Sequence, residues 1–219
     1  MQRAVKFATQ AHRRIDQRRK YSKQPYEVHL KSVADIVASV TDDEEMLAAA
    51  WLHDTVEDTP ATIEDIEREF GEGVAGLVSD LTDVSRPGDG NRAVRKAIDR
   101  AHSARASARA KTVKLADLID NCRDICSHDE RFARVFLVEM AALLEVLDDG
   151  DPRLLRRARR SDDQPPHRHP RSGHRCHRCH LDRSSVPPSL LFEKLECDIR
   201  EPFGVAAVNR YVTAVRNHP

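Results

Sequence analysis

The sequence predicts an all-α protein. Apolar residues recur at three- and four-residue spacings over residues 1–155, almost no segment alternates with period two, and capping and glycine stop signals separate the stripes. At 219 residues the chain can bury one core and still carry an appendage. The expected organisation is a helical domain over 1–155, an Arg/His/Pro-rich disordered segment over 156–188, and a tail with short helices over 189–219.

The first stripe is Ala4, Val5, Ala8, Ala11, His12 and Ile15, an amphipathic helix over residues 1–16 in which His12 is structural. Arg13, Arg14, Arg18, Arg19, Lys20 and Lys23 then make a strongly basic stretch, by composition a solvated loop. The loop closes at Pro25-Tyr26, and His29 opens a helix through Val33, Ile36, Val37 and Val40. Thr41-Asp42-Asp43-Glu44 has the pattern of a capping box that starts the central helix.

That central helix carries no charge from Met46 to Leu52 and runs straight into His53-Asp54-Thr55-Val56-Glu57-Asp58-Thr59. Residues four apart share a helical face, so His53 sits over Glu57 and Asp54 over Asp58. Charges that begin where a helix is already buried need compensation, and a divalent metal is the simplest one. His53 and Asp54 alone are equally consistent with a pair that cross-links core helices.

Thr62 to Asp65 repeats the capping signature, ahead of a short stripe of Ile63, Ile66 and Phe70 that stops at Gly71. Val74, Leu77, Val78 and Leu81 form the next short helix, and Ser85 to Gly90 is a loop. Asn91 to Arg105 is a basic helix with Arg92, Arg95, Lys96 and Arg100 on a solvent face. Ala110 to Cys126 sets Asp117 and Asn121 four apart on an otherwise apolar helix, and Ser127 caps a last long one through Phe132, Val135, Phe136, Met140, Leu143, Leu144 and Leu147. His29, His53, Asp54 and Asp117 together offer a ligand set from three separated helices. Its nitrogen and oxygen donors without thiolate suit manganese, iron or zinc with open positions.

Arg19-Lys20, Pro25-Tyr26, His29, HDTVEDT at 53–59, Phe70-Gly71, Leu81-Thr82 and KLADLIDN at 114–121 follow one another in this order. In that order the chain resembles the hydrolase domain of the RelA/SpoT alarmone enzymes, nearest to the stand-alone small alarmone hydrolases of the HD phosphohydrolase superfamily. The resemblance covers roughly residues 1–150 and implies an HD-domain helical bundle with a poorly ordered C-terminal extension. It implies metal-dependent hydrolysis of the 3′-pyrophosphate of guanosine tetra- or pentaphosphate, with a Mn²⁺ ion (Zn²⁺ or Fe²⁺ as alternatives) on His29, His53, Asp54 and Asp117. By the same resemblance Glu57 and Asp58 orient or deprotonate the attacking water, Arg19, Lys20 and Arg92 neutralise phosphates, and Tyr26 and Asn121 stand beside the nucleotide. The family's proline after the first histidine is Leu30 here, which changes only how the first turn is preset. Two other readings stay open: another nucleotide substrate such as the 2′-phosphate of NADPH, or a nucleotide-binding sensor without turnover. The roughly 70 residues that remain are too few for a synthetase domain.

With 36 basic and 36 acidic residues the chain is neutral, which argues against general attraction to nucleic acid or anionic membrane. No stretch has the apolar length of a membrane span and the start reads as a helix rather than a signal peptide, so a cytoplasmic protein with a nucleotide substrate is expected. Five cysteines, at 122, 126, 176, 179 and 197, argue against a disulfide framework, and Cys122 and Cys126 are core thiols. Between Ser161 and His180 there is no aliphatic or aromatic residue, so this stretch cannot bury a core. His174, Cys176, His177, Cys179 and His180 make one Cys/His cluster without the second ligand pair of a zinc knuckle. The tail offers two short helices, through Leu190 to Leu195 and Val205 to Val215, for docking on the core or for self-association into a homo-oligomer.

Overall fold

The computed structural model describes residues 1–162. The segments expected at 156–188 and 189–219, with the Cys/His cluster and the self-association helices, lie outside the described residues from 163 onward. The described residues are all-α: α1 (Gln2–Arg14), α2 (Glu27–Ala38), α3 (Glu44–Leu52), α4 (Thr55–Asp58), α5 (Ile63–Phe70), α6 (Glu72–Leu81), α7 (Arg92–Arg105), α8 (Ala108–His128), α9 (Glu130–Leu144) and α10 (Pro152–Asp162). Among them there is no strand beyond one isolated bridge between Arg18 and Pro25, and no helix long and apolar enough to cross a membrane.

Capping chemistry sets most of these boundaries. Asp43, not Thr41, starts α3: its carboxylate accepts from the amides of Glu45 and Met46, while Thr41 Oγ1 accepts from the Asp43 amide. A carboxylate accepts two amides of the first turn where a threonine two residues upstream reaches neither. Thr62 and Asp65 form the expected reciprocal capping box on α5. Gly71 ends that helix with φ of 85°, a left-handed conformation that glycine takes without a Cβ clash. Between α8 and α9, Ser127 is still inside α8, and Asp129 caps α9 by accepting from the Phe132 amide.

The long helix α8 is the axis of the body, packed by α2, α6, α9 and α10, while α3 packs on α1, α2 and α6. Leu115, Leu30, Leu52 and Ile66 are fully buried, each contributing roughly 1.5–3 kcal/mol of transfer free energy. Ala48, Ala49 and Ala50 keep α3 slim enough for helices to approach on several sides. Helix α10 extends this core past the expected boundary at 155, with Leu154 and Ala158 buried. Its approach to α8 depends on Gly150, where a Cβ would stand 2.7 Å from Leu115 Cδ1 and 3.3 Å from the Lys111 carbonyl carbon.

Candidate metal centre

The uninterrupted helix expected through His53 and Asp58 is broken. Helix α3 ends at Leu52, His53 and Asp54 form a turn, and α4 restarts at Thr55. The cause is local: His53 Nδ1 reaches back 2.9 Å to the carbonyl of Ala50, giving a helix-end carbonyl the donor it lacks. The single polar stripe therefore does not form. His53 points into the core, 1% exposed, while Glu57 and Asp58 stand exposed at the mouth.

Three separate parts of the fold meet at this turn. His29 comes from the first turn of α2, His53 and Asp54 from the α3–α4 turn, and Asp117 from the middle of α8. His29 Nε2 lies 3.4 Å from Asp54 Oδ2 and 3.3 Å from Asp117 Oδ1. His53 Nε2 lies 3.1 Å and 3.7 Å from the same two oxygens. One ligand atom each from His29, His53 and Asp54 lies within 4.8 Å of the others.

The tautomers follow from the partners. His53 Nδ1 faces a backbone carbonyl and His29 Nδ1 faces Asp120 Oδ2 at 2.7 Å; both oxygens can only accept, so both Nδ1 atoms carry hydrogen. Each Nε2 is then the basic nitrogen, and both are buried without a hydrogen-bond partner. Carboxylate oxygens close by but not aligned for hydrogen bonds leave two imidazole lone pairs and two carboxylates facing one small space. That donor set fits a divalent cation with nitrogen and oxygen preference.

Without a cation the carboxylates act on protons instead. Burial opposes charge on His53, but Asp54 and Asp117 overcome it and raise the imidazole to about 9. Burial likewise opposes charge on His29, which Asp117, Asp120 and Asp54 raise well above the usual histidine value. Burial alone would raise Asp117, yet Lys114, His29 and His53 hold it well below the carboxylate range. A cation must therefore displace the imidazole protons. Isothermal titration of the metal-free protein with Mn²⁺ at pH 7, in buffers of different ionisation enthalpy, should register release of about two protons. The raised histidines stabilise the metal-free fold fully below their unfolded value and lose that contribution as pH climbs through about 9. The thermal midpoint of the metal-free protein should fall there, and that of the loaded protein should not.

The remaining predicted residues divide. The Tyr26 hydroxyl donates to Asp54 Oδ2 at 2.6 Å, and burial followed by Asp54 pushes the phenol upward, so Tyr26 orients a carboxylate of the cluster. Asn121 Nδ2 donates to Asp117 Oδ1 at 2.6 Å. Glu57 Oε2 accepts from the Asp83 amide at 3.3 Å; burial of its surroundings and the Asp83 charge push its carboxyl up to about 7. Asp58 accepts from Gln17 Nε2 at 2.7 Å, and Gln17 Oε1 lies 2.6 Å from Nδ1 of the buried His12.

The three predicted phosphate cations are not in the cluster. Arg19 departs furthest from expectation: it is buried, with Nη1 2.6 Å from Asp120 and Nη2 3.1 Å from Asp124, so two carboxylates already occupy its guanidinium. Lys20 is exposed, with Nζ 5.0 Å from the centre of the Phe132 ring. Arg92 lies 5.4 Å over that same ring and binds Glu139 through two nitrogens at 2.6 and 2.8 Å.

Sequence reasoning missed three residues at this site. Lys114 Nζ stands 3.5 Å from Asp117 Oδ2 and is raised against burial by Asp117, Asp83, Asp54 and Glu57. Its position three residues before Asp117 on one helix was the available signal. Asp120 and Gln17 gave none, since their partners are remote in sequence or fixed by loop shape.

A family model described as HD domain matches residues 4–145 of this chain. The chain is 42% identical over 124 residues to the guanosine-3′,5′-bis(diphosphate) 3′-pyrophosphohydrolase MESH1 of Drosophila melanogaster, covering 55% of this chain and 66% of that protein. The Homo sapiens protein of the same name is 41% identical over 127 residues, 56% of this chain and 67% of that one. The matched stretch thus spans about two thirds of these relatives' length. A solved structure described as a metazoan orthologue of SpoT that hydrolyses ppGpp superposes with a TM-score of 0.64 at 33% identity, covering 73% of this chain and 92% of that one.

Proposed function

This chain belongs to the HD-domain family, and from that we propose that it is a metal-dependent 3′-pyrophosphohydrolase of guanosine tetra- and pentaphosphate. The observation that carries the reading is the pair of buried, partnerless Nε2 atoms of His29 and His53 facing Asp54 and Asp117 beside an exposed Glu57 whose carboxyl is pushed to about 7. The names borne by relatives about 42% identical supply the substrate class. His29, His53, Asp54 and Asp117 would hold the ion, for which the mixed imidazole and carboxylate set suits manganese, iron or zinc, and we take Mn²⁺ from the resemblance to the alarmone hydrolases.

When bound, the ion supplies Lewis-acid polarisation of a phosphoryl oxygen and a more acidic water. Glu57, near neutrality at the mouth, takes the proton of the attacking water. Asp58, fastened by Gln17, orients that water. Water then replaces the ribose 3′-oxygen on phosphorus, the departing oxygen takes up the proton that Glu57 removed, directly or through solvent, and GDP or GTP with a free 3′-hydroxyl and pyrophosphate are the products. Lys114 offsets the charge of Asp117, Asp83 and Glu57 so that these carboxylates do not repel the polyanion. Lys20, exposed on the Phe132 ring, would meet an outer phosphate, Arg92 would do so on exchanging Glu139 for it, and Tyr26 and Asn121 would act on the nucleotide through the carboxylates they hold. The substrate belongs to the cytoplasmic nucleotide pool, and we place the protein there.

Full-length protein loaded with Mn²⁺ and offered guanosine tetraphosphate should release one pyrophosphate for each GDP formed. Release of orthophosphate from NADPH without reaction of the guanosine compound would move the assignment to a 2′-phosphatase. Tight nucleotide binding without release of either product would make the chain a sensor.

A further inference from the structure

We infer that Asp120 is a positioning residue for the metal centre, one that fixes His29 with Nε2 toward the ion and fastens the preceding loop to the same point. Its carboxylate is 5% exposed in the middle of α8, three residues beyond Asp117. Three donors from two other parts of the chain end on it. His29 Nδ1 lies 2.7 Å from Oδ2, Arg19 Nη1 lies 2.6 Å from Oδ2, and the Ser32 hydroxyl donates to Oδ1.

The chemistry of each contact restricts the others. Arg19 can only donate and the Ser32 hydroxyl donates to the other oxygen, so the Asp120 carboxylate, paired with the guanidinium, is the acceptor in all three contacts. His29 Nδ1 must then be the protonated nitrogen, and the Nε2 lone pair is delivered to the space shared with Asp54 and Asp117. A negative partner on Nδ1 also makes Nε2 a stronger donor to a cation. Arg19 adds the second function: it belongs to the loop between α1 and α2, and its other terminal nitrogen lies 3.1 Å from Asp124, one turn further along α8. The loop that presents Lys20 is thus held to α8 by the residue that orients a metal ligand.

This inference rests on the proposed metal ligands but is tested without nucleotide. Metal-free full-length protein is titrated with Mn²⁺ and the unbound ion is counted by electron paramagnetic resonance, for the wild type, D120A and D120N. The asparagine oxygen can still accept from His29 Nδ1, whereas alanine cannot. D120A should bind Mn²⁺ roughly 10–100-fold more weakly, with D120N between the two, since its oxygen still orients the ring but carries no charge. Equal affinity of D120A and wild type overturns the inference, as does equal weakening in both variants, which would mark a purely structural anchor. A wild type that itself takes up no stoichiometric Mn²⁺ refutes the metal reading instead. Should D120A fail to fold, long-range proton–nitrogen spectra of the Zn²⁺-loaded wild type decide: His29 must appear with hydrogen on Nδ1, and a bare Nδ1 overturns the inference.

Discussion

Replacing His53 by alanine should leave a folded protein that neither retains Mn²⁺ nor turns over. The substitution removes one of two imidazole donors and leaves Asp54 and Asp117 facing each other with one buried imidazole between them. Lewis-acid stabilisation is worth several kcal/mol of transition-state energy, so turnover should drop roughly 10³-fold or more at saturating Mn²⁺. Metal content by elemental analysis and turnover measured on the same sample check this together. A variant with wild-type metal content and wild-type turnover would remove His53 from the centre. The thermal midpoint should fall, because Asp54 and Asp117 lose a buried partner, but the Ala50 carbonyl that loses its donor sits at a helix end, where water or a tightened last turn can replace it, so circular dichroism should still show a helical fold.

Glu57→Gln should cost roughly 10²–10⁴-fold in turnover with little change in KM, the range for removal of a general base. The pH profile separates this from a structural effect. A carboxyl raised to about 7 is mostly protonated in mild acid and ionised above neutrality, so wild-type turnover should climb with pH and level off. The midpoint should lie no higher than about 7, because a cation nearby can only draw a carboxyl downward. In the glutamine variant that limb should vanish. The side chain makes one long hydrogen bond, which a glutamine oxygen can also accept, so the thermal midpoint should hold. A variant with an intact limb and full turnover would show that another group takes the proton.

Why some of this site was legible in the sequence and some was not has a physical basis. HDTVEDT and KLADLIDN put ligand-type side chains next to long apolar runs, where only compensation inside the fold makes sense, and His29, His53, Asp54 and Asp117 do come together. The break at His53 was not legible, because Met46 to Asp58 is as compatible with one helix as with two; a ring reaching back to a carbonyl decides it. Arg19 illustrates the opposite difficulty. An arginine in a basic loop looks solvated or free for phosphate, and what buries it is a carboxylate 101 residues away. Asp120 and Lys114 carry the same lesson, since a charged residue on a helix flank gives no hint of whether solvent or a counter-charge faces it. The choice of Asp129 over Ser127 as a cap lies within the scatter of helix ends, where two competent residues stand two apart.

The two imidazoles are steered by unlike means, one by the carbonyl of Ala50 and one by the side chain of Asp120. Main-chain oxygen is the same whatever amino acid is encoded at position 50, so no point mutation there swaps its acceptor chemistry. Codon 120, by contrast, is open to drift and to selection. A substitution can therefore alter the acceptor that faces His29 but not the acceptor that faces His53.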